Sequence, residues 1–219
     1  MDIFKNVKTV FFDYDGTIHN SMYIYKPALK KAYNYLIQEG VVEDRDLKDE
    51  EIKYWLGFNS IEMWKRFIPG LPEDIKTKAR EIVGDEMKKS VKEQRAVLYE
   101  GALETLSYLK KRGYHLVFVS NCGQYYKDIH NEAFGLDKYF EELAYAEEYK
   151  FVPKYEYLKE VMKKYPKDMV MVGDRYHDIK AGKNNNIYTI GCDYGFATEG
   201  ELKEADLIIW DIREIKKYL

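Results

Sequence analysis

Short runs of Val, Ile, Phe and Tyr recur along the chain, apolar at nearly every position and closed by Gly, Asp, Asn or Pro. They are VKTVFFDYD from Val7, HLVFVSN from His115, DMVMVGD from Asp168, IYTIGC from Ile187 and LIIWDI from Leu207, with a weaker run, ELAYAEE, from Glu142. Runs apolar on both faces suit parallel strands buried under helices on each side, and helical-period stretches lie between most of them. The pattern predicts an α/β fold with a doubly wound parallel sheet.

The spacing of the runs is uneven. About one hundred residues separate the first strand from the second, whereas later strands follow at the shorter interval of a βαβ step. From Ile18 to about Val97 the pattern turns helical. KPALKKAYNYLIQEG has Pro27 in its first turn, Gly40 as its stop, and Leu29, Ala32, Tyr33, Leu36 and Ile37 on one stripe. Further helices are expected over Asp49 to Leu56, Ser60 to Phe67 and Pro72 to about Gln94, with PGLP from Pro69 as punctuation. Residues 1–17 and 98–219 are therefore expected to form an α/β core, with residues 18–97 inserted after the first strand as a small helical domain.

Composition narrows the function classes. With 46% apolar and 33% charged residues the chain reads as soluble and globular. Its 35 basic and 38 acidic residues leave a net charge of −3, so it has no broad basic surface for nucleic acid. No apolar run approaches the roughly 18 residues that cross a bilayer, and the first residues lack a signal core, so a cytoplasmic protein without a membrane partner is expected. Cys122 and Cys192 stand outside any CxxC or Cys/His ligand spacing and read as buried thiols.

The candidate chemistry sits at strand ends. FFDYDGT closes an apolar strand with Asp13 and Asp15, two apart and hence on one side at strand periodicity, at the edge where open α/β sheets bind ligands. Carboxylates that close repel, so either a cation joins them or they divide an acid/base role. VMVGDRYHDI adds Asp174 and Asp178 at a second strand end, and convergent carboxylates with room for water are what Mg²⁺ prefers. VFVSNCG leaves Ser120, Asn121 and Gly123 at a strand-to-helix corner suited to an anion. Lys150, in EEYKFVPKYEYL, lies in a loop before a helix, where an ammonium could neutralise a carboxylate or a phosphoryl group.

In this order the motifs resemble the haloacid dehalogenase superfamily, whose four motifs match DYDGT at Asp13, Ser120, Lys150, and GDRYHD at Asp174 and Asp178. The helical insert is similar to the cap of the phosphoglycolate phosphatase and β-phosphoglucomutase branch, so the resemblance spans the whole chain. The third motif departs from the family pattern Lys-Pro-x-Pro: here it reads KFVP, with Phe151 in the place of the first proline, and Lys150 is preferred to Lys154 because it keeps the offset before Pro153.

The resemblance implies a Mg²⁺-dependent phosphatase acting on a small phosphorylated substrate. Asp13 would be the nucleophile that forms an aspartyl-phosphate and Asp15 the acid/base, with Ser120 and Lys150 holding the phosphoryl group. The metal would be held by Asp13, the main-chain carbonyl of Asp15 and Asp174, with Asp178 in support. A sugar-phosphate mutase is the alternative. A receiver-like signalling protein is expected to be shorter and to lack the insert, and a non-catalytic phosphate binder to have lost Asp13 or Asp15. Within the insert, Trp55, Asn59, Trp64, Lys65 and Arg66 face substrate or pack the cap, and Arg66 is the candidate for a second anionic group. His19 and Asn20, just after the first motif, either touch ligand or form a turn.

Overall fold

The computed structural model describes residues 3–219. Six strands form one parallel sheet: β1 Thr9–Phe12, β2 His115–Ser120, β3 Glu142–Tyr145, β4 Met169–Gly173, β5 Tyr188–Cys192 and β6 Leu207–Ile209, in the spatial order β3-β2-β1-β4-β5-β6. The weak run at Glu142 is thus the edge strand on the β2 side. The chain steps outward from β1 through β2 to β3, then returns to place β4 on the other flank of β1. This reversal opens a crevice at the carboxyl ends of β1 and β4. Phe12 is level with Phe118 of β2 and Val172 of β4, so the residues after each strand emerge side by side.

Burial on both sheet faces explains the unbroken apolar runs. On one face Val10, Phe12, Phe118, Val170 and Val172 pack with Leu106 and Leu109 of helix α5 (Ala102–Lys111). On the other, Phe11, Val117, Val119 and Met171 pack with Tyr157, Leu158 and Val161 of α7 (Lys154–Met162). Helices α6 (Gln124–Phe134) and α8 (Tyr176–Asn184) complete the layers.

Between β1 and α5 the chain forms four helices: α1 Met22–Gln38, α2 Asp49–Trp55, α3 Ser60–Phe67 and α4 Glu73–Lys92. They enclose a separate apolar cluster of Leu29, Ala32, Leu36, Ile52, Met63, Trp64 and Ala79, which the core enters through Phe196. Helix α1 starts a turn earlier than its proline suggested, leaving Pro27 inside the helix. Ile24, Tyr25 and Ala28 extend the buried stripe in the amino-terminal direction, and their burial outweighs the one backbone bond that proline cannot donate. Among the described residues no helix is long and apolar enough to cross a membrane.

Candidate active site

The crevice at the sheet edge gathers the acids of the first and fourth motifs. Asp13 follows β1 directly, its N–H donating to Val172 O at 2.9 Å, while Asp174 follows β4. Asp178 lies in the first turn of α8, where Oδ2 accepts the Arg175 N–H at 3.0 Å and caps the helix. One carboxylate oxygen from each of Asp13, Asp174 and Asp178 lies within 4.8 Å of the others, and all three residues are buried. Glycine makes this approach possible. A Cβ on Gly16, whose φ is +86°, would sit 2.0 Å from Asp174 Oδ2, and one on Gly173 would sit 2.2 Å from Asp178 Cγ.

The ammonium of this cluster belongs to Lys154, not to Lys150 as the sequence suggested. Lys154 Nζ donates to Asp13 Oδ1 at 2.7 Å and to Asp178 Oδ1 at 2.6 Å, and the residue is 5% exposed. Lys150 is exposed, beside Glu148, Tyr149 and Glu156. The cause is local: Lys150 and Phe151 both take left-handed φ values of 56° and 57°, turning the chain so that Pro153 caps α7 and its first residue, Lys154, enters the site. Phe151 lines the cleft instead.

Charge balance in the cluster is incomplete. Burial, followed by the Asp178 carboxylate, pushes the Asp13 carboxyl up to about 7 against the pull of Lys154. Asp174 is also driven well above the usual carboxylate range by burial and by Asp13, and its Oδ2 accepts the Phe196 N–H at 2.7 Å. For Lys154, burial works against the charge, but Asp13 and Asp178 hold the ammonium strongly protonated. Three buried carboxylates around one ammonium are what a hard, oxygen-seeking divalent cation relieves, so these residues fit Mg²⁺.

Asp15 is set apart from this cluster. Its side chain lines the cleft, and Oδ1 accepts from Tyr126 Oη at 2.6 Å and lies 3.1 Å from His19 Nδ1. Burial favours the neutral acid, but the His19 and Tyr126 contacts win and hold Asp15 below the usual range. His19 is fully buried, its ring 5.2 Å from Tyr14 and 4.7 Å from His130, and its N–H donates to Tyr14 O at 2.9 Å, so it closes the expected turn while its ring supports Asp15. Four-residue spacing from Asp15 was the available signal for His19. Tyr126, more than a hundred residues away, left none.

The remaining candidates divide. Ser120 is buried at the end of β2 and lines the cleft, its Oγ accepting the Cys122 N–H at 3.3 Å. Asn121 also lines it, but its amide donates to Gly57 O of the helical insert at 2.8 Å and so ties insert to core. The N–H of Gln124, at the start of α6, is taken by Glu147 Oε2 at 2.7 Å, which narrows the expected anion cradle to the Ser120 turn. Arg66 is not among the residues lining the cleft. It pairs with Glu62 at 2.6 Å, one helical turn away, with about half its side chain exposed. Arg80 of α4 is the cationic side chain in the cleft wall. Burial pushes the Cys122 thiol up to about 12, which removes it as a thiolate nucleophile.

Arg175, between the two acids of the fourth motif, has a role that its position did not announce. It is 1% exposed, forks onto Glu201 through Nε at 2.8 Å and Nη2 at 3.0 Å, and donates Nη1 to the carbonyls of Tyr54 and Leu56 at the end of α2. The loop that carries Asp174 is thereby bolted to the insert.

Residues 10–192 match the family model described as haloacid dehalogenase-like hydrolase. The chain belongs to the haloacid dehalogenase-like hydrolase family. Its relatives in this hydrolase family include a phosphoglycolate phosphatase of Vibrio parahaemolyticus, 28% identical over 198 residues that make up 88% of this chain and 86% of the relative. A pyrophosphatase of Listeria welshimeri is 28% identical over 193 residues, covering 84% of this chain and 82% of its own. Among solved structures, a predicted phosphatase from Clostridium acetobutylicum superposes with a TM-score of 0.78 at 25% identity, covering 97% of this chain and 98% of that one.

Proposed function

We propose that the protein is a Mg²⁺-dependent phosphatase that hydrolyses a small phosphorylated metabolite in the cytoplasm through an aspartyl-phosphate on Asp13. The observation that carries this reading is the buried Asp13, held by Lys154 beside Asp174 and Asp178 at the floor of a cleft, with Asp15 close by but outside the cluster. Family membership makes the chain a hydrolase, and the phosphatase names of its relatives support phosphate esters as the class of substrate. Two free cysteines suit a reducing compartment.

In the first half-reaction an Asp13 oxygen attacks phosphorus, and the bond from phosphorus to the ester oxygen breaks. Asp15, held ionised in the free protein by His19 and Tyr126, takes up a proton as the substrate's negative charge enters beside it, and gives that proton to the ester oxygen, so the alcohol leaves neutral. In the second half, Asp15 takes a proton from water as the water oxygen bonds to phosphorus, and the bond to Asp13 breaks to release phosphate. Lys154 neutralises Asp13 so that it can meet an anion, and the Ser120 hydroxyl with the backbone of its turn orients the phosphoryl oxygens. The Asp13, Asp174 and Asp178 carboxylates and the Asp15 carbonyl would hold Mg²⁺. When bound, the metal supplies charge neutralisation for the phosphoryl group. The insert covers the cleft and keeps bulk water from the acyl phosphate.

The test is hydrolysis of p-nitrophenyl phosphate by the purified protein with Mg²⁺ and with EDTA. Activity that requires the metal supports the proposal, and equal rates in EDTA contradict it.

A further inference from the structure

The cleft between insert and core measures about 580 Å³, within the roughly 300–1,000 Å³ of sites that enclose drug-sized ligands. A two-carbon acid or a second phosphate group fills little of that space. Away from Asp13 and Asp15, the charged members of the cleft wall are Arg80, Glu81 and Glu147, one cation against two acids. Arg80 also reaches Ser60 Oγ at 3.4 Å. Glu81 is paired with Lys78 at 3.2 Å and Glu147 accepts the Gln124 N–H at 2.7 Å, so the wall sets one arginine at the edge of an otherwise weakly charged surface.

Beside polar Ser21, Ser60 and Thr77, much of that wall is apolar and aromatic: Trp55, Phe58, Met63, Trp64 and Met87 all contribute. Trp55 and Phe58 pack ring to ring at 5.8 Å, giving a shaped aromatic surface rather than scattered apolar atoms. Two polar atoms in the cleft wall lack partners. Ser21 Oγ is on a fully buried residue with no hydrogen bond, and Trp55 Nε1 is buried without one. Buried donors are normally satisfied, so an unpaired pair lining a ligand cleft marks where ligand acceptors belong.

We propose that the cleft is built for a phosphomonoester whose alcohol part is a planar ring system bearing hydrogen-bond acceptors, seated against Trp55, Phe58 and Trp64 with its acceptors toward Ser21 Oγ and Trp55 Nε1. This rests on the phosphatase reading and goes beyond it, because the substrates in the relatives' names, phosphoglycolate and pyrophosphate, are small and anionic.

Turnover and binding are measured separately. For turnover, quinolin-3-ylmethyl, naphthylmethyl and ethyl phosphate are compared with phosphoglycolate and pyrophosphate. The first three are esters of primary alcohols, which keeps leaving-group chemistry similar. The proposal predicts kcat/KM at least about tenfold higher for quinolinylmethyl than for ethyl phosphate and phosphoglycolate, with naphthylmethyl phosphate between, in line with the discrimination apolar pockets achieve. A preference for phosphoglycolate or pyrophosphate, or parity of quinolinylmethyl with ethyl phosphate, overturns it and leaves the phosphatase reading standing. Parity of quinolinylmethyl with naphthylmethyl phosphate overturns the acceptor assignment.

For binding, the matching phosphonates, which cannot be hydrolysed, are titrated into the wild-type protein by tryptophan fluorescence, with Trp55 and Trp64 in the wall and Trp210 exposed elsewhere. If no ester turns over yet the ring phosphonates bind about tenfold tighter than ethylphosphonate, the phosphatase reading falls and the assignment of the cleft stands. If they bind no tighter, the assignment falls whatever the turnover.

Discussion

Lys154 donates to Asp13 across 141 residues of chain, Nζ to Oδ1 at 2.7 Å, joining the start of α7 to the end of β1. The same ammonium reaches Asp178, so one side chain holds together the first and last motifs of the site. Replacing it with methionine is expected to lower kcat for p-nitrophenyl phosphate by about 10²–10³, the cost of losing one preorganised charge donor. Lys150→Met, on the exposed turn, is expected to change it by about twofold or less, as for most surface substitutions. A reversed order in the two variants would return the third motif to Lys150.

Mg²⁺ binding is predicted to release protons. Burial and Asp178 push Asp13 up to about 7, so near neutral pH this carboxyl is partly protonated and a cation displaces the proton, and the upward push on Asp174 acts in the same direction. Apparent affinity should rise as pH goes from about 6 to 8, through the raised value of Asp13, since the cation must displace a proton below it. Calorimetric titration in two buffers of different ionisation enthalpy checks this. Identical apparent enthalpies would mean that no proton leaves.

Arg175 couples the insert to the loop of Asp174, and its loss takes the cation from half-buried Glu201 and the donor from the Tyr54 and Leu56 carbonyls. Arg175→Met is expected to destabilise the fold by about 3–5 kcal/mol, the usual cost of removing one partner of a buried ion pair. Arg175→Lys should recover part of this, because a point charge cannot fork onto Glu201 and also reach Tyr54 and Leu56. Urea denaturation of the three proteins supplies the comparison.

Two histidines set an acid limit on stability. Burial, then the neighbouring His19, lowers His130 to about 3, and burial, then Lys154, lowers His177 to about 3. The unfolded chain, with histidines near 6.5, takes up these protons first. Their contribution is therefore complete above about 6.5 and declines by about 1.4 kcal/mol per pH unit for each histidine as pH falls toward 3. The raised Asp13 and Asp174 act in the opposite sense, so the informative quantity is the difference between wild type and His130→Gln. That difference should shift steadily from pH 6.5 to 4 and stay constant above 7.5. A difference independent of pH would show that His130 is not buried in its neutral form.

Local signals carried most of the fold and half of the site. Strands buried on both faces announce themselves as unbroken apolar runs, and even the weak run at Glu142 formed the sheet edge. Asp13 and Asp174 were legible because each directly follows a strand whose end had to face the ligand edge, and Asp178 because it lies in the first turn of the helix after β4. Lys154 was not, because the choice depended on two left-handed residues, Lys150 and Phe151, that no proline or glycine marks. Arg66 was misplaced for a similar reason: helical phase determines whether an arginine on α3 faces the cleft, and Glu62 one turn away claims this one. Tyr126, Arg175 and Arg80 act through tertiary partners far along the chain, and nothing local reports such partners.

The central claim is that Asp13 is the nucleophile, and the most direct measurement is the intact mass of the protein after rapid acid quench during turnover of p-nitrophenyl phosphate with Mg²⁺. A gain of one phosphoryl group in the wild type, absent in Asp13→Asn together with its activity, is the predicted result. Turnover by Asp13→Asn at the wild-type rate would contradict the account.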